Sequence, residues 1–285
     1  MKTGWLVYRP DEIARNQRFI DKWMNASNKR NIQIFLITTD MLNYGMISGK
    51  AFVRSSQTDR TPDFAVIRLN DPLLTETFEK AGIPTFNNSR VAYICNDKRR
   101  THLLFNNRLP MMDTAFLSDC SGRPPFPYPF VLKAVHNCGG RKVFLCSDIN
   151  TFQSAVAACL PDSMLAQPLC DTPGQDVRVY VVGKRVITAM KRFSTDGDFR
   201  SNLQQGGNAT TWTMDAQIKN YVDIVMKEFD FGLIGIDFIF HKGQLMFNEI
   251  EDAVGTRMLY IHTQLDIVDI YLDHILTRIA DDTIG

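Results

Sequence analysis

Three carboxylates in the last sixth of the chain carry the most chemistry in their spacing. Gly235 to Phe240 and Leu245 to Glu251 are apolar, aromatic-rich runs on either side of His241-Lys242-Gly243-Gln244. A polar break containing glycine between two such runs predicts a β-hairpin. Side chains alternate between the faces of a strand, so Glu249 and Glu251 share a face, and Asp237 on the facing strand can lie beside them. Carboxylates gathered on one face repel one another unless a cation sits between them. Hard oxygen ligands on a rigid sheet suit magnesium, which completes its shell with waters and substrate phosphates. The alternative is a surface hairpin whose polar face is acidic.

Cations recur on the preceding strands. Lys133 stands inside the apolar run Phe130 to Ala134, Lys191 and Arg192 close the run from Arg185 to Phe193, and Arg200 follows in the polar loop Phe199-Arg200-Ser201-Asn202. Lysines and arginines with Asp237, Glu249 and Glu251 are a set of groups that can hold a nucleoside triphosphate and magnesium. Scattered salt bridges would use the same residue types. The loop His136 to Gly140, between two strand-like runs, could cover phosphates; it is not a Walker loop, because the Gly-Lys-Ser/Thr ending is absent. The histidines show no triad-like pattern and read as surface or satisfied side chains.

The elements that must position these groups are legible as periodicity. Trp5 to Tyr8, Ile32 to Ile37 and Phe64 to Leu69 read as strands, with helices over Asp11 to Met24 and Pro72 to Lys80. Strands alternating with helices predict a parallel sheet, an α/β domain over 1–95. Asp97 to Asn107 reads as a basic helix, followed by the Pro-rich connector Arg123 to Pro129. Strands are expected over Phe130 to Ala134, Lys142 to Cys146, Asp176 to Val182 and Arg185 to Phe193. Helices are expected over Thr151 to Leu160, Asp215 to Phe229 (with Asp215 as N-cap) and Gln264 to Ile279.

Composition narrows the classes. The chain has 285 residues, 45% hydrophobic and 22% charged, the mix of a globular protein of about two domains. A net charge of +1 gives no global field toward nucleic acid or an anionic membrane. Six cysteines without a Cys-x-x-Cys pair argue against a zinc site or a disulfide framework and for a reducing compartment. No run approaches the ~18 apolar residues of a membrane span. The expectation is a cytoplasmic protein that engages neither nucleic acid nor membrane. A dehydrogenase fits poorly, since the first domain lacks Gly-x-Gly-x-x-Gly.

The order of the pieces is more specific than any one of them. Asn96-Asp97-Lys98, Pro129 to Lys133, Gln175-Asp176-Val177-Arg178, Met190-Lys191-Arg192, Phe199 to Leu203 with Gly206-Gly207, Gly235-Ile236-Asp237 and Asn248-Glu249-Ile250-Glu251 follow one another from about Pro72 onward. In this the chain resembles the ATP-grasp superfamily, and within it the glutamate ligases of the RimK type and related amino-acid ligases. The resemblance implies a pre-ATP-grasp domain over 1–95 and a two-lobed α+β ATP-grasp domain over 96–285. Residues 96–165 would form the smaller lobe, and 166–285 the larger lobe with the metal site.

It also implies roles. Lys98 and Lys133 would neutralise phosphate charge, and Gln167-Pro168-Leu169-Cys170 would be the hinge that reads adenine through backbone groups. The family usually has an acidic residue where Pro168 stands; proline offers a carbonyl but no N–H. Asp176 would bind ribose, and Arg200, Ser201 and Asn202 would reach the terminal phosphate, with Arg200, Asn202 and Lys133 as catalytic residues. Arg178 and Arg192 would contact substrate or phosphate. Asp237, Glu249 and Glu251 would hold two Mg²⁺ ions, with Mn²⁺ as a substitute; the family's Glu-x-Asn is here Glu-x-Glu. Relatives often carry Ser-Pro-Gly where this chain has Ala253 to Arg257, beside the acceptor site. The implied reaction joins a carboxylate to the amine of a small molecule or peptide through an acyl-phosphate, releasing ADP and phosphate. An ATP-grasp kinase and a non-catalytic nucleotide-binding protein are the rivals, and a homo-oligomer is left open.

Overall fold

The computed structural model describes residues 1–117, 123–136, 142–201 and 208–281. The chain opens with β1 (Thr3–Tyr8), α1 (Ile13–Lys29), β2 (Gln33–Thr38), the hairpin β3 (Leu42–Ile47) and β4 (Lys50–Ser55), β5 (Phe64–Ile67), α2 (Pro72–Lys80) and α3 (Ser89–Cys95). β2, β1 and β5 form the expected parallel sheet, with β1 in the centre and buried along its whole length. α2 starts where Asp71 accepts a hydrogen bond from the Leu74 amide at 2.9 Å and Pro72 takes the first helical position, where a missing N–H costs nothing. The β3–β4 hairpin was not among the expected elements. Its signal is Ser48-Gly49, both at positive φ, between two alternating runs.

The middle of the chain holds α4 (Lys98–Phe105), β6 (Ala115–Leu117), β7 (Phe130–Ala134), β8 (Val143–Cys146), α5 (Ile149–Cys159) and β9 (Met164–Pro168). These strands pair antiparallel in the order β6-β9-β7-β8. α5 packs Phe152, Ala155, Val156 and Cys159 onto them in one core. α4 and α3 pack elsewhere: Phe105, Val91 and Cys95 enter the core of the next sheet.

That sheet comprises β10 (Gln175–Val182), β11 (Arg185–Phe193), β12 (Asn208–Thr211), β13 (Leu233–His241) and β14 (Gln244–Glu251), in the antiparallel order β12-β11-β10-β13-β14. α6 (Ala216–Glu228), capped by Asp215 through the Ile218 amide at 2.9 Å, covers one face with Ile218, Val222 and Val225. Val177, Val179 and Val181 of β10 point to that face. Asp176, Arg178 and Tyr180 alternate to the other. The chain ends with α7 (Arg257–His262) and α8 (Ile267–Asp281).

α8 packs α1 and the parallel sheet against the five-stranded sheet. Trp23 of α1 meets Tyr271 edge-on at 5.5 Å, and Arg30 donates to Asp269 and Asp273, both at 2.7 Å. One core runs from Leu6 and Tyr8 through α8 to Tyr180 and Leu233. Between the start of α1, the segment 253–257 and the polar face of β10 lies a cleft of about 680 Å³.

Candidate functional site

The β13–β14 hairpin turns at Lys242-Gly243, both at positive φ, as a two-residue turn matched to strand twist requires. Its register places Asp237 opposite Glu249 and Gly235 opposite Glu251, so the three carboxylates share one face as the alternation predicts. Straight alternation would also put Leu245 and Phe247 on that face. It does not, because Phe238 pairs with Phe247 and Asp237 with Glu249, leaving Asn248 as an extra residue. This β-bulge flips the strand's sense. Leu245, Phe247 and Ile250 then all reach the apolar core, while Glu249 and Glu251 face the cleft side.

The protein sets cations of its own beside these carboxylates. Arg178 lies directly across from Asp237 on β10 and donates to both of its oxygens, at 2.7 and 2.6 Å. Arg178 also donates to Glu251. Its side chain crosses Gly235: a Cβ there would lie 2.7 Å from Val254 and 3.1 Å from Arg178 Cδ, so only glycine leaves the passage open. Arg192 donates to both oxygens of Asp176, each at 2.6 Å, and to Asp237 at 2.7 Å. Asp237, Arg192 and Arg178 are 1%, 4% and 5% exposed, so the cluster is desolvated and stands only because its charges are matched. Burial pushes the Asp237 carboxyl up, but Arg178 and Arg192 outweigh it and hold its pKa down at about 2. Both arginines are nearly buried and ion-paired, and what they expose lines the cleft.

Lys133 is placed differently. From β7 it donates to Gln167 Oε1 at 2.7 Å and to Asn248 Oδ1 at 2.9 Å. Both partners are neutral. Burial lowers its pKa to about 8, with Lys98 adding to the effect and Glu249 opposing it. The bulge at Asn248 is thus what carries a side chain from the five-stranded sheet to the lysine of the four-stranded one. Behind them, Gln167 donates to Thr114 at 2.9 Å, and the His102 ring contacts the Asn248 carbonyl at 2.9 Å. Burial and Lys133 hold His102 down at about 4, a neutral ring. Lys98, at the start of α4, lies 3.2 Å from Glu249. Asn96 just before it donates to Asp252 at 2.8 Å, which pins that helix start to the end of β14.

Among the other residues singled out, Gln167 turns inward to Lys133, and Pro168 ends β9 with Leu169 and Cys170 half-buried after it. Asp176 is taken by Arg192 and by the Ser201 hydroxyl, which donates to it. Arg200 folds back onto Asp198 at 2.7 Å. Asn202, Gly206-Gly207 and the loop residues 137–140 lie outside the described residues. Asn248, Thr114 and His102 were not read as site residues. The sequence signals for Asn248 are its place as a polar residue between Phe247 and Glu249 and its position at the head of the piece Asn248-Glu249-Ile250-Glu251.

The donor set fits a polyphosphate. A recessed ammonium whose hydrogen-bond partners among the described residues are two amide oxygens, with Lys98 near it, calls for an anion. For magnesium, Glu249 and Glu251 offer hard oxygens at the same rim, and one or two carboxylates suffice when phosphates complete the shell. Asp237 is committed to guanidinium groups. Among the described residues, no three His, Cys, Asp or Glu side chains are gathered into a metal cage.

A RimK-like ATP-grasp domain model matches residues 113–275. A probable alpha-L-glutamate ligase of Maridesulfovibrio salexigens is 29% identical over 211 residues, covering 70% of this chain and 69% of that protein. The D-alanine–D-alanine ligase of Bacillus anthracis, solved with ATP, superposes with a TM-score of 0.73 at 15% identity over 99% of this chain and 98% of that one. The ATP-grasp ligase PsnB, solved with its minimal precursor, gives 0.71 at 16% identity over 97% and 99%. The structural neighbours share the fold, and the family model covers more than half of the sequence: the chain belongs to the RimK-like ATP-grasp family.

Proposed function

We propose that this protein is an ATP-dependent carboxylate–amine ligase that forms an amide bond through an acyl-phosphate. The observation that carries the reading is the recessed Lys133, held by Gln167 and Asn248 where the two sheets face each other, with Glu249 and Lys98 beside it. Lys133 and Lys98 would bind the phosphates of ATP, and the backbone from Pro168 to Cys170 would read adenine. Glu249 and Glu251, with Asp237 beside them, would hold Mg²⁺, which supplies charge neutralisation at the phosphates.

A substrate carboxylate oxygen attacks the γ-phosphorus, and the bond to the leaving ADP oxygen breaks. The amine nitrogen then attacks the acyl carbon, phosphate departs, and the amine gives up a proton. No nucleophile of the protein takes part. Its residues position and neutralise, with Arg200, Ser201 and Asn202 toward the transferred phosphate. The alpha-L-glutamate ligase relative and the precursor bound to PsnB support an amino acid or a peptide among the partners.

The test is ADP release by the purified protein across a panel of carboxylates and amines, with mass spectrometry of the product. ADP formed only when both are present, with a product equal to their sum less water, supports ligation. ADP formed with a hydroxyl substrate alone, and a phosphorylated product, overturns it.

A further inference from the structure

The 680 Å³ cleft has an uneven charge. Arg15, Arg18, Lys22, Arg68 and Arg257 line it together with Arg178 and Arg192, while Glu251 is the one carboxylate of its described lining. Most of these cations are already matched. Arg178 and Arg192 are held by the carboxylate cluster, Arg15 by Glu12 at 2.9 Å and Lys22 by Asp266 at 3.2 Å. Arg18, Arg68 and Arg257 remain, with no carboxylate at ion-pair distance among the described residues.

Arg68 is the one of these three that is built in. It follows β5 directly, and its amide donates to the Val7 carbonyl at 2.9 Å, so it sits at the carboxyl end of the parallel sheet beside Tyr8. In open α/β sheets that end is where ligands bind. Its guanidinium lies over the Phe19 ring at 4.8 Å, and one of its terminal nitrogens donates to the Val254 carbonyl at 2.8 Å. Its Nε and the Tyr8 hydroxyl are both buried without a well-formed hydrogen bond, and the two side chains interact with each other. A buried donor left unmatched costs free energy that a ligand can return. The guanidinium is thus oriented by an aromatic face and a carbonyl, with no carboxylate at ion-pair distance among the described residues; the Tyr8 side chain and the buried Asp252 share its field. Guanidinium geometry suits carboxylate and phosphate.

We propose that Arg68 is a specificity-determining residue: it binds an anionic group, carboxylate or phosphate, that the substrate carries in addition to its reacting carboxylate. Arg18 and Arg257 flank that group at the rim. The inference rests on the ligase reading only for which end of the cleft reacts, the end holding Glu251. A cleft of this volume takes a ligand larger than a single amino acid.

Isothermal titration of the full chain, with magnesium and a non-hydrolysable ATP analogue present, tests the proposal with two matched pairs. Glutamyl-glutamate against glutaminyl-glutamine reads a carboxylate, and phosphoserine against serine reads a phosphate. The wild type should bind at least one acidic member about ten-fold or more tightly than its neutral partner. Arg68→Gln should abolish that preference while changing the neutral member less than about two-fold, and Arg68→Lys should restore part of it. The pair that responds identifies the anion. No acidic preference in the wild type, or a preference that survives in Arg68→Gln, overturns the proposal. If Arg68→Gln does not fold, the double variant Arg18→Gln/Arg257→Gln, on exposed side chains, decides: a diminished preference supports it and an unchanged one overturns it. ADP release with the same probes is a separate measurement. Its absence would count against the ligase reading, while the binding preference would still decide Arg68.

Discussion

The two sheets of the ATP-grasp domain carry charge in opposite ways. On the five-stranded sheet, Asp176, Arg178, Arg192, Asp237 and Glu251 interlock, each buried guanidinium meeting two carboxylates. On the four-stranded sheet, the hydrogen-bond partners of Lys133 among the described residues are two amide oxygens, with Glu249 acting on it from further away. The first arrangement is largely closed: three carboxylates share two guanidinium groups, so most of its charge is paired without a ligand. The second is open, and its unspent charge is useful only when an anion arrives. A matched cluster makes stability and an unmatched charge makes affinity, and the bulge at Asn248 connects the two.

The largest effect should come from opening the closed cluster. Asp237→Asn removes the carboxylate that both buried arginines share and breaks the desolvated network at its centre, which costs about 3–5 kcal/mol. Urea denaturation should show the loss as a lower midpoint; an unchanged midpoint would mean that the arginines are solvated and the cluster is not structural. Lys133→Met makes the reverse case. Stability should change by less than about 1 kcal/mol, while ATP affinity falls about a hundred-fold. A variant that loses stability instead of affinity would erase the contrast.

The pH dependence sharpens it. Lys133 titrates at about 8, below the ordinary 10.5, so its ammonium is present below pH 8 and is lost above. ATP affinity should hold steady from about pH 6 to 7.5 and then weaken by up to ~ten-fold per unit above about 8. Between these two pKa values the unfolded chain binds more protons at this site than the folded one does. This lysine's contribution therefore makes the ligand-free fold more stable as pH rises through that window, while binding weakens. Calorimetry across the range should show the fall for the wild type and its absence in Lys133→Arg, whose guanidinium does not titrate there.

The smallest effect belongs to the connection between the sheets. Asn248→Ala removes one neutral acceptor, and a loss of about 0.5–1.5 kcal/mol in ATP binding is expected. No change in titration calorimetry would leave Gln167 as the sole side-chain anchor of Lys133.

Much of the frame was legible because it is local. Phe130 to Ala134 and Pro72 to Lys80 form the strand and helix that their runs predict, residue for residue. The cap at Asp215, the hairpin turning at Lys242-Gly243 and the shared face of Asp237, Glu249 and Glu251 also follow from patterns a few residues long. The β3–β4 hairpin has a local signal too, Ser48-Gly49 between two alternating runs.

What the sequence by itself determined is which residues are charged, which runs are strands and which side of a straight strand each residue would face. Periodicity is a property of neighbours along the chain, so it reaches that far and stops. Only the tertiary structure decided the rest. Leu245, Phe247, Glu249 and Glu251 have the same spacing parity, and they part only because pairing with β13 leaves Asn248 unpaired. Asn248 meets Lys133 across 115 positions, and Arg178 meets Asp237 across 59. Arg68 and Arg257 line one cleft because α8 docks α1 and the parallel sheet against the five-stranded sheet. Partners chosen by sheet register and by the packing of distant cores leave no periodic trace, and the state of each charge depends on those partners.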